Sequence, residues 1–170
     1  MCDRLVILRL VLIGAVGLSV VGCAPNEGEF LTASLTEPAS LPTSAHLVEQ
    51  GQIQFEEGNF GTATNEFSKT IEADPLNADA WLGLAASYDQ IGRFDEADKA
   101  YAKVQQLIGS TPSVLNNMGY SYLLRGDLSK SRTTLAAAYN LDPSNPYIVN
   151  NIDILNQRLA ALGQAPLSVN

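Results

Sequence analysis

Few side chains in this sequence are placed to do chemistry, and their positions restrict what that chemistry is. The two cysteines, Cys2 and Cys23, both lie within the first 23 residues, so the remainder has no thiol for a disulfide framework or a thiolate metal site. His46 is the single histidine, which removes most imidazole metal sets and Ser–His–acid relays. It stands near the start of a helical stretch and reads as solvent-facing. Glu56 and Glu57 fall at a helix end and read as solvated surface. Asp74 and Asp142 recur at the ends of later helices, and no glycine-rich phosphate loop follows a strand. The chain is therefore expected to be no enzyme, with no catalytic residue, metal, cofactor or small-molecule substrate. What remains are carboxamides. Asn116-Asn117 and Asn150-Asn151 form two pairs 34 positions apart; a carboxamide both donates and accepts, which suits either an extended peptide backbone or the backbone and loop groups between neighbouring helices.

Charge narrows the partners further. The net charge is −8, from 10 basic and 18 acidic residues. Leaving out residues 1–22 removes Asp3, Arg4 and Arg9, so 8 basic stand against 17 acidic residues, or −9. Such a domain is repelled by phosphate backbones, and nucleic acid is not an expected partner.

The elements that position these groups begin with a leader. Arg4 opens a weakly basic start, and an apolar run follows from Leu10 to Val21. That run is well short of the ~20 residues a membrane-spanning helix needs, and it fits the apolar region of a secretory signal. Val20-Val21-Gly22-Cys23 then resembles the bacterial lipobox. By that resemblance residues 1–22 are removed and the Cys23 thiol carries a covalent lipid. Each buried methylene of an acyl chain contributes about 0.8 kcal/mol, so several chains anchor stably. Ala24, in place of the aspartate associated with inner-membrane retention, implies the outer membrane, facing the periplasm. Residues 24–43 are rich in Pro, Ser, Thr and Glu without helical or strand period, and read as a tether.

From Ser44 onward, blocks of 34 residues align without a gap. Position 8 is Gly51, Ala85 and Gly119; position 15 is Gly58, Gly92 and Gly126; position 20 is Ala63, Ala97 and Ser131. Larger residues recur at position 4 (Leu47, Trp81, Leu115), position 11 (Gln54, Tyr88, Tyr122) and position 24 (Phe67, Tyr101, Leu135). Small residues let paired helices approach, large ones fill the space between pairs, and glycine relieves the backbone where the first helix stops. The pattern resembles the tetratricopeptide repeat (TPR), with Gln54 and Gln50 as departures in the first block. The implied fold is all-α: a solenoid over 44–162 with helices near 44–57, 60–73, 78–91, 94–107, 112–125 and 128–141. A seventh, after Pro146, buries Ile148, Ile152, Leu155 and Leu159, shows Asn156, Gln157 and Arg158 to water, and caps the stack. Residues 163–170 are expected to fray.

The resemblance also implies a concave face lined by Leu82, Ala86, Asp89, Asn116, Asn117, Tyr120, Leu123, Asn150, Asn151 and Ile154. Because those positions carry no Lys or Arg, a clamp for a C-terminal carboxylate is not expected. Arg125, Arg93 and Lys69 are expected on turns or the outer face. The third block reads Asn116-Asn117-Met118-Gly119-Tyr120-Ser121-Tyr122-Leu123-Leu124-Arg125-Gly126, followed by Pro146 and Asn150-Asn151. It resembles the TPR lipoprotein of the Tad (Flp) tight-adherence pilus system. That implies a pilotin-like assembly factor whose partners are secretin or pilus components. The alternatives are a general envelope scaffold and a regulatory subunit of periplasmic cell-wall enzymes.

Overall fold

A computed structural model describes residues 43–168; the leader, Cys23 and the tether through residue 42 lie outside the described residues. Among the described residues there are seven helices and no strand: α1 (Ser44–Glu56), α2 (Phe60–Ala73), α3 (Ala78–Gln90), α4 (Phe94–Ile108), α5 (Pro112–Leu124), α6 (Leu128–Leu141) and α7 (Pro146–Ala161). Their bounds match the expected ones to within a residue at each end. No described helix is long and apolar enough to cross a membrane.

The period of 34 is written most plainly in the helix ends. Residues 43, 77, 111 and 145 are Thr43, Asn77, Thr111 and Asn145, and each caps the helix that follows. Their side-chain oxygens accept the N–H of His46 (3.3 Å), Ala80 (2.9 Å), Val114 (3.3 Å) and Tyr147 (3.1 Å). Each cap satisfies a donor that the helix cannot, and contributes roughly 1 kcal/mol. Pro112 and Pro146 occupy first-turn positions where no N–H is missed. At the other end of α1, α3 and α5 stand Gly58, Gly92 and Gly126, with φ of 78°, 74° and 78°. The residue after each glycine returns its N–H to the carbonyl five positions back, as Arg93 does to Tyr88 at 2.9 Å. A β-carbon at these glycines is strained by about 1 kcal/mol. Gly92→Ala is thus expected to lower stability by about that amount, and an unchanged thermal midpoint would contradict the turn assignment.

Packing follows from side-chain size at repeat positions. The Phe67 ring, 2% exposed, is slotted between two helices that present glycine to it. A β-carbon would lie 2.6 Å from the ring at Gly51 and 2.3 Å at Gly83. In the third repeat a β-carbon on Gly119 would meet Leu135 at 2.6 Å, and the Ser131 hydroxyl donates to the Gly119 carbonyl at 2.9 Å. Helix α7 lays Ile148, Ile152, Leu155 and Leu159, all buried, onto Leu123, Leu135 and Ala138.

Residues 163–168 depart from the expected fraying. Gly163, at φ 66°, closes α7 in the same manner as the repeat glycines, with Gln164 N–H returning to the Leu159 carbonyl at 2.9 Å. The chain then turns back instead of fraying. Arg132 donates to the carbonyls of Pro166 (3.2 Å) and Ala165, and Asn156 bonds Leu167. Leu167 packs on the third-repeat core. Asn156, expected to face water, is half-buried against this segment.

Candidate binding groove

The first helix of each repeat turns the same face toward one concavity. Two adjoining depressions of about 440 and 220 Å³ share Phe55, Ala86 and Asn117. The larger runs past α3, α5 and α7 and contains Asn116, Asn117, Tyr120, Asn150 and Asn151; Leu82 lines the smaller. Seven of the ten expected groove residues therefore meet in one channel: Leu82, Ala86, the four asparagines and Tyr120. The other three do not behave as expected.

Leu123 is 1% exposed and belongs to the core beneath α7. The capping helix covers position 12 of the third repeat, so a residue that would line an uncapped groove becomes buried. Ile154 is likewise packed against that core. Asp89 does border the channel but is 5% exposed, and its carboxylate is already committed. The Tyr101 hydroxyl donates to Asp89 Oδ2 at 2.9 Å and the Ser121 hydroxyl to Asp89 Oδ1 at 2.6 Å.

This carboxylate heads a polar network that joins the second repeat to the third. Arg125, expected at the surface, is only 17% exposed in its side chain. It donates two hydrogen bonds to Asp98, at 3.0 and 2.9 Å, and one to the Ser121 hydroxyl at 2.6 Å. Its guanidinium also lies 4.8 Å from the Phe94 ring centre and 5.2 Å from that of Tyr122. Burial pushes the Asp89 carboxyl above its ordinary range, against the hydrogen bonds from Ser121 and Tyr101 and the charge of Arg125. Burial likewise pushes the Tyr101 phenol well up, reinforced by Asp89. Arg93 and Lys69 do sit at the surface, paired with Glu96 and Glu66, and His46 is exposed.

Three of the four asparagines are partly spent on the protein itself. Asn151 Nδ2 donates to Asn116 Oδ1 at 2.9 Å, a bond between adjacent repeats, and Asn117 Nδ2 donates to the Ser113 carbonyl at 2.9 Å. The free ends of these amides and the exposed Asn150 face the channel without a side-chain bond among the described residues. Tyr120 and Tyr147 line the same channel, the latter 74% exposed. The channel wall thus offers donors, acceptors and aromatic surface, and no Lys or Arg lines it. Its ionisable groups other than Asp89 and the buried Tyr101 are Glu56 and Asp79 at one end and Tyr120 and Tyr147 at the other.

Phe55, Gln90, Asn145 and Tyr147 also line the channel and were not anticipated. Phe55 occupies position 12 of the first repeat, equivalent to Asp89, and was visible to the same arithmetic. Tyr147 stands one period after Ser113 and two after Asp79, which also line the channel, so it too was within reach of the arithmetic.

Two tetratricopeptide-repeat family models match residues 54–115 and 112–145. The anaphase-promoting complex subunit CDC16 of Saccharomyces cerevisiae is 26% identical over 93 residues, 55% of this chain but 11% of that subunit; the chain spans only about a tenth of this relative's length. The first TPR domain of Spaghetti (RPAP3), solved with the HSP90 peptide SRMEEVD, superposes with a TM-score of 0.59 at 22% identity, covering 69% of this chain and 94% of that one. Pseudomonas aeruginosa pilF superposes at 0.60 with 23% identity, covering 71% of this chain and 55% of that one. Residues 44–161 form a tetratricopeptide-repeat solenoid.

Proposed function

We propose that this chain is a lipid-anchored protein-interaction module whose concave channel holds an extended segment of a partner protein. The observation that carries this reading is the channel wall itself, where the amides of Asn116, Asn117, Asn150 and Asn151 and the rings of Tyr120 and Tyr147 line one depression from α5 to α7. Extended backbone presents one donor and one acceptor per residue, which such a wall can match. RPAP3 holds an HSP90 peptide on the same fold, which supports a partner segment as the occupant. That peptide, SRMEEVD, carries three acidic residues; the present channel has no cation to meet them and bears Glu56 and Asp79 at one end. The segment that fits is internal and neutral, with any basic flank toward α1 and α3.

The anchor and the setting rest on sequence. The lipobox-like Val20-Val21-Gly22-Cys23 favours lipidation at Cys23, and Ala24 favours the outer membrane, facing the periplasm. The third block favours an assembly role in Tad (Flp) pilus or secretin machinery, as a pilotin-like factor. Affinity isolation of the lipidated protein from mildly cross-linked cells tests this, alongside Cys23→Ser and Asn117→Ala/Tyr120→Ala variants. Secretin or pilus proteins should be recovered, and lost with the channel variant. Recovery of murein enzymes instead would replace the pilus reading with that of a cell-wall scaffold. Once a partner segment is known, the channel variant should weaken its binding by about 2 kcal/mol, roughly thirtyfold. Tyr120 packs partly on the third-repeat core, so the variant should lose about 1–2 kcal/mol of unfolding free energy and remain folded, which a thermal scan checks beside the binding measurement. A variant that binds equally well would remove these residues from the site.

A further inference from the structure

We propose that the furrow between α6 and α7 is a second peptide site, separate from the concave channel. Its ligand is an extended segment of the class small residue, proline, aliphatic, and the chain's own Ala165–Leu167 occupies it in cis. The observation is how that segment is held. Asn156 accepts the Leu167 N–H at 2.7 Å and donates to the Leu167 carbonyl at 3.2 Å. One carboxamide thereby reproduces both bonds that a neighbouring β-strand would make. Arg132 adds bonds to the carbonyls of Pro166 and Ala165. All four contacts go to backbone, so they do not depend on which chain supplies it.

Side-chain selectivity comes from two places. Leu167 is half-buried on the third-repeat core, and Pro166 fixes its own φ in the extended range, which lowers the cost of ordering the segment. Gln164, Ala165 and Pro166 are all exposed, so the segment is retained by two exposed and two part-buried hydrogen bonds and one leucine. Such contacts open readily. The same segment from a second copy is then a chemically identical occupant. It competes against a cis segment whose effective concentration is of millimolar order. Neither Arg132, Asn156 nor Leu167 lines the concave channel, so the two sites are independent.

The test uses the full chain and a labelled peptide of residues 163–170, followed by fluorescence anisotropy. Leu167→Glu, and Leu167→Ala as a milder change, should release the cis segment. The peptide should then bind saturably, at least about tenfold more tightly than to the parent chain, where the cis segment competes. Adding Asn156→Ala should abolish that binding, and a peptide with Glu in place of leucine should not bind. Absence of saturable binding to either released variant would overturn the proposal. So would binding that survives Asn156→Ala, or equal binding of the Glu peptide.

Discussion

Phe67→Ala should lower the unfolding free energy by about 3–5 kcal/mol, measured by urea denaturation with an unchanged slope. The ring is buried and lies between α1 and α3, each of which has glycine where a side chain would collide with it. Removing it leaves a void that those helices, tied to their own partners, close only in part. The same geometry predicts a reversal of sign. Gly83→Ala in the parent places a β-carbon 2.3 Å from the ring, and overpacking of that kind costs about 1–3 kcal/mol. In the Phe67→Ala background that methyl meets empty space and should stabilise. The coupling across the cycle is then of order 1–3 kcal/mol. Additive effects would mean that the ring does not fix the distance between the first two repeats.

Asp89→Ala should cost about 2–4 kcal/mol, because it strands the Tyr101 and Ser121 hydroxyls and removes one of the two carboxylates near Arg125. Its pH signature distinguishes it from a simple packing defect. Burial holds the Asp89 carboxyl above its ordinary range, so the folded chain keeps this proton to higher pH than the unfolded chain does. The stability it contributes is complete below the ordinary carboxylate pKa and is lost as pH rises through the folded value. Asp127 and Asp142 run the other way. A backbone bond from Lys130 holds Asp127 low, and a Ser144 hydroxyl bond holds Asp142 low, so their contributions are lost as pH falls. Comparing the parent with Asp89→Asn isolates the first effect: the parent's advantage should be greater near pH 4 than near pH 7. A constant difference would show that Asp89 is not held in its buried, hydroxyl-bonded state.

The solenoid was legible in the sequence because a tetratricopeptide stack is a local code. Gly58, Gly92 and Gly126 end one helix, Ala63, Ala97 and Ser131 sit where the next crosses it, and each contact lies within a residue or two of its counterpart 34 positions away. The same arithmetic placed Leu82, Ala86, Tyr120 and the asparagine pairs on one wall. It failed where a contact depends on something outside the repeat. Leu123 is buried because α7 lies over it, and a period cannot say how a terminal helix sits. Arg125 looked like scattered charge because its partners, Asp98 and Asp89, belong to two other helices. The return of the tail depended on Gly163 and on Asn156 and Arg132, none of which has a repeat counterpart in that role.

The central claim is that a partner segment lies in the concave channel. Site-specific photo-cross-linking in living cells addresses it most directly, with the photoreactive residue placed in turn at Ala86, Tyr120 and Asn150, and at Lys69 on the exposed surface. The account predicts that the three channel positions cross-link to one neutral, extended stretch of a single protein and that Lys69 does not. Cross-links from Lys69 alone, or channel positions that capture nothing, would contradict it.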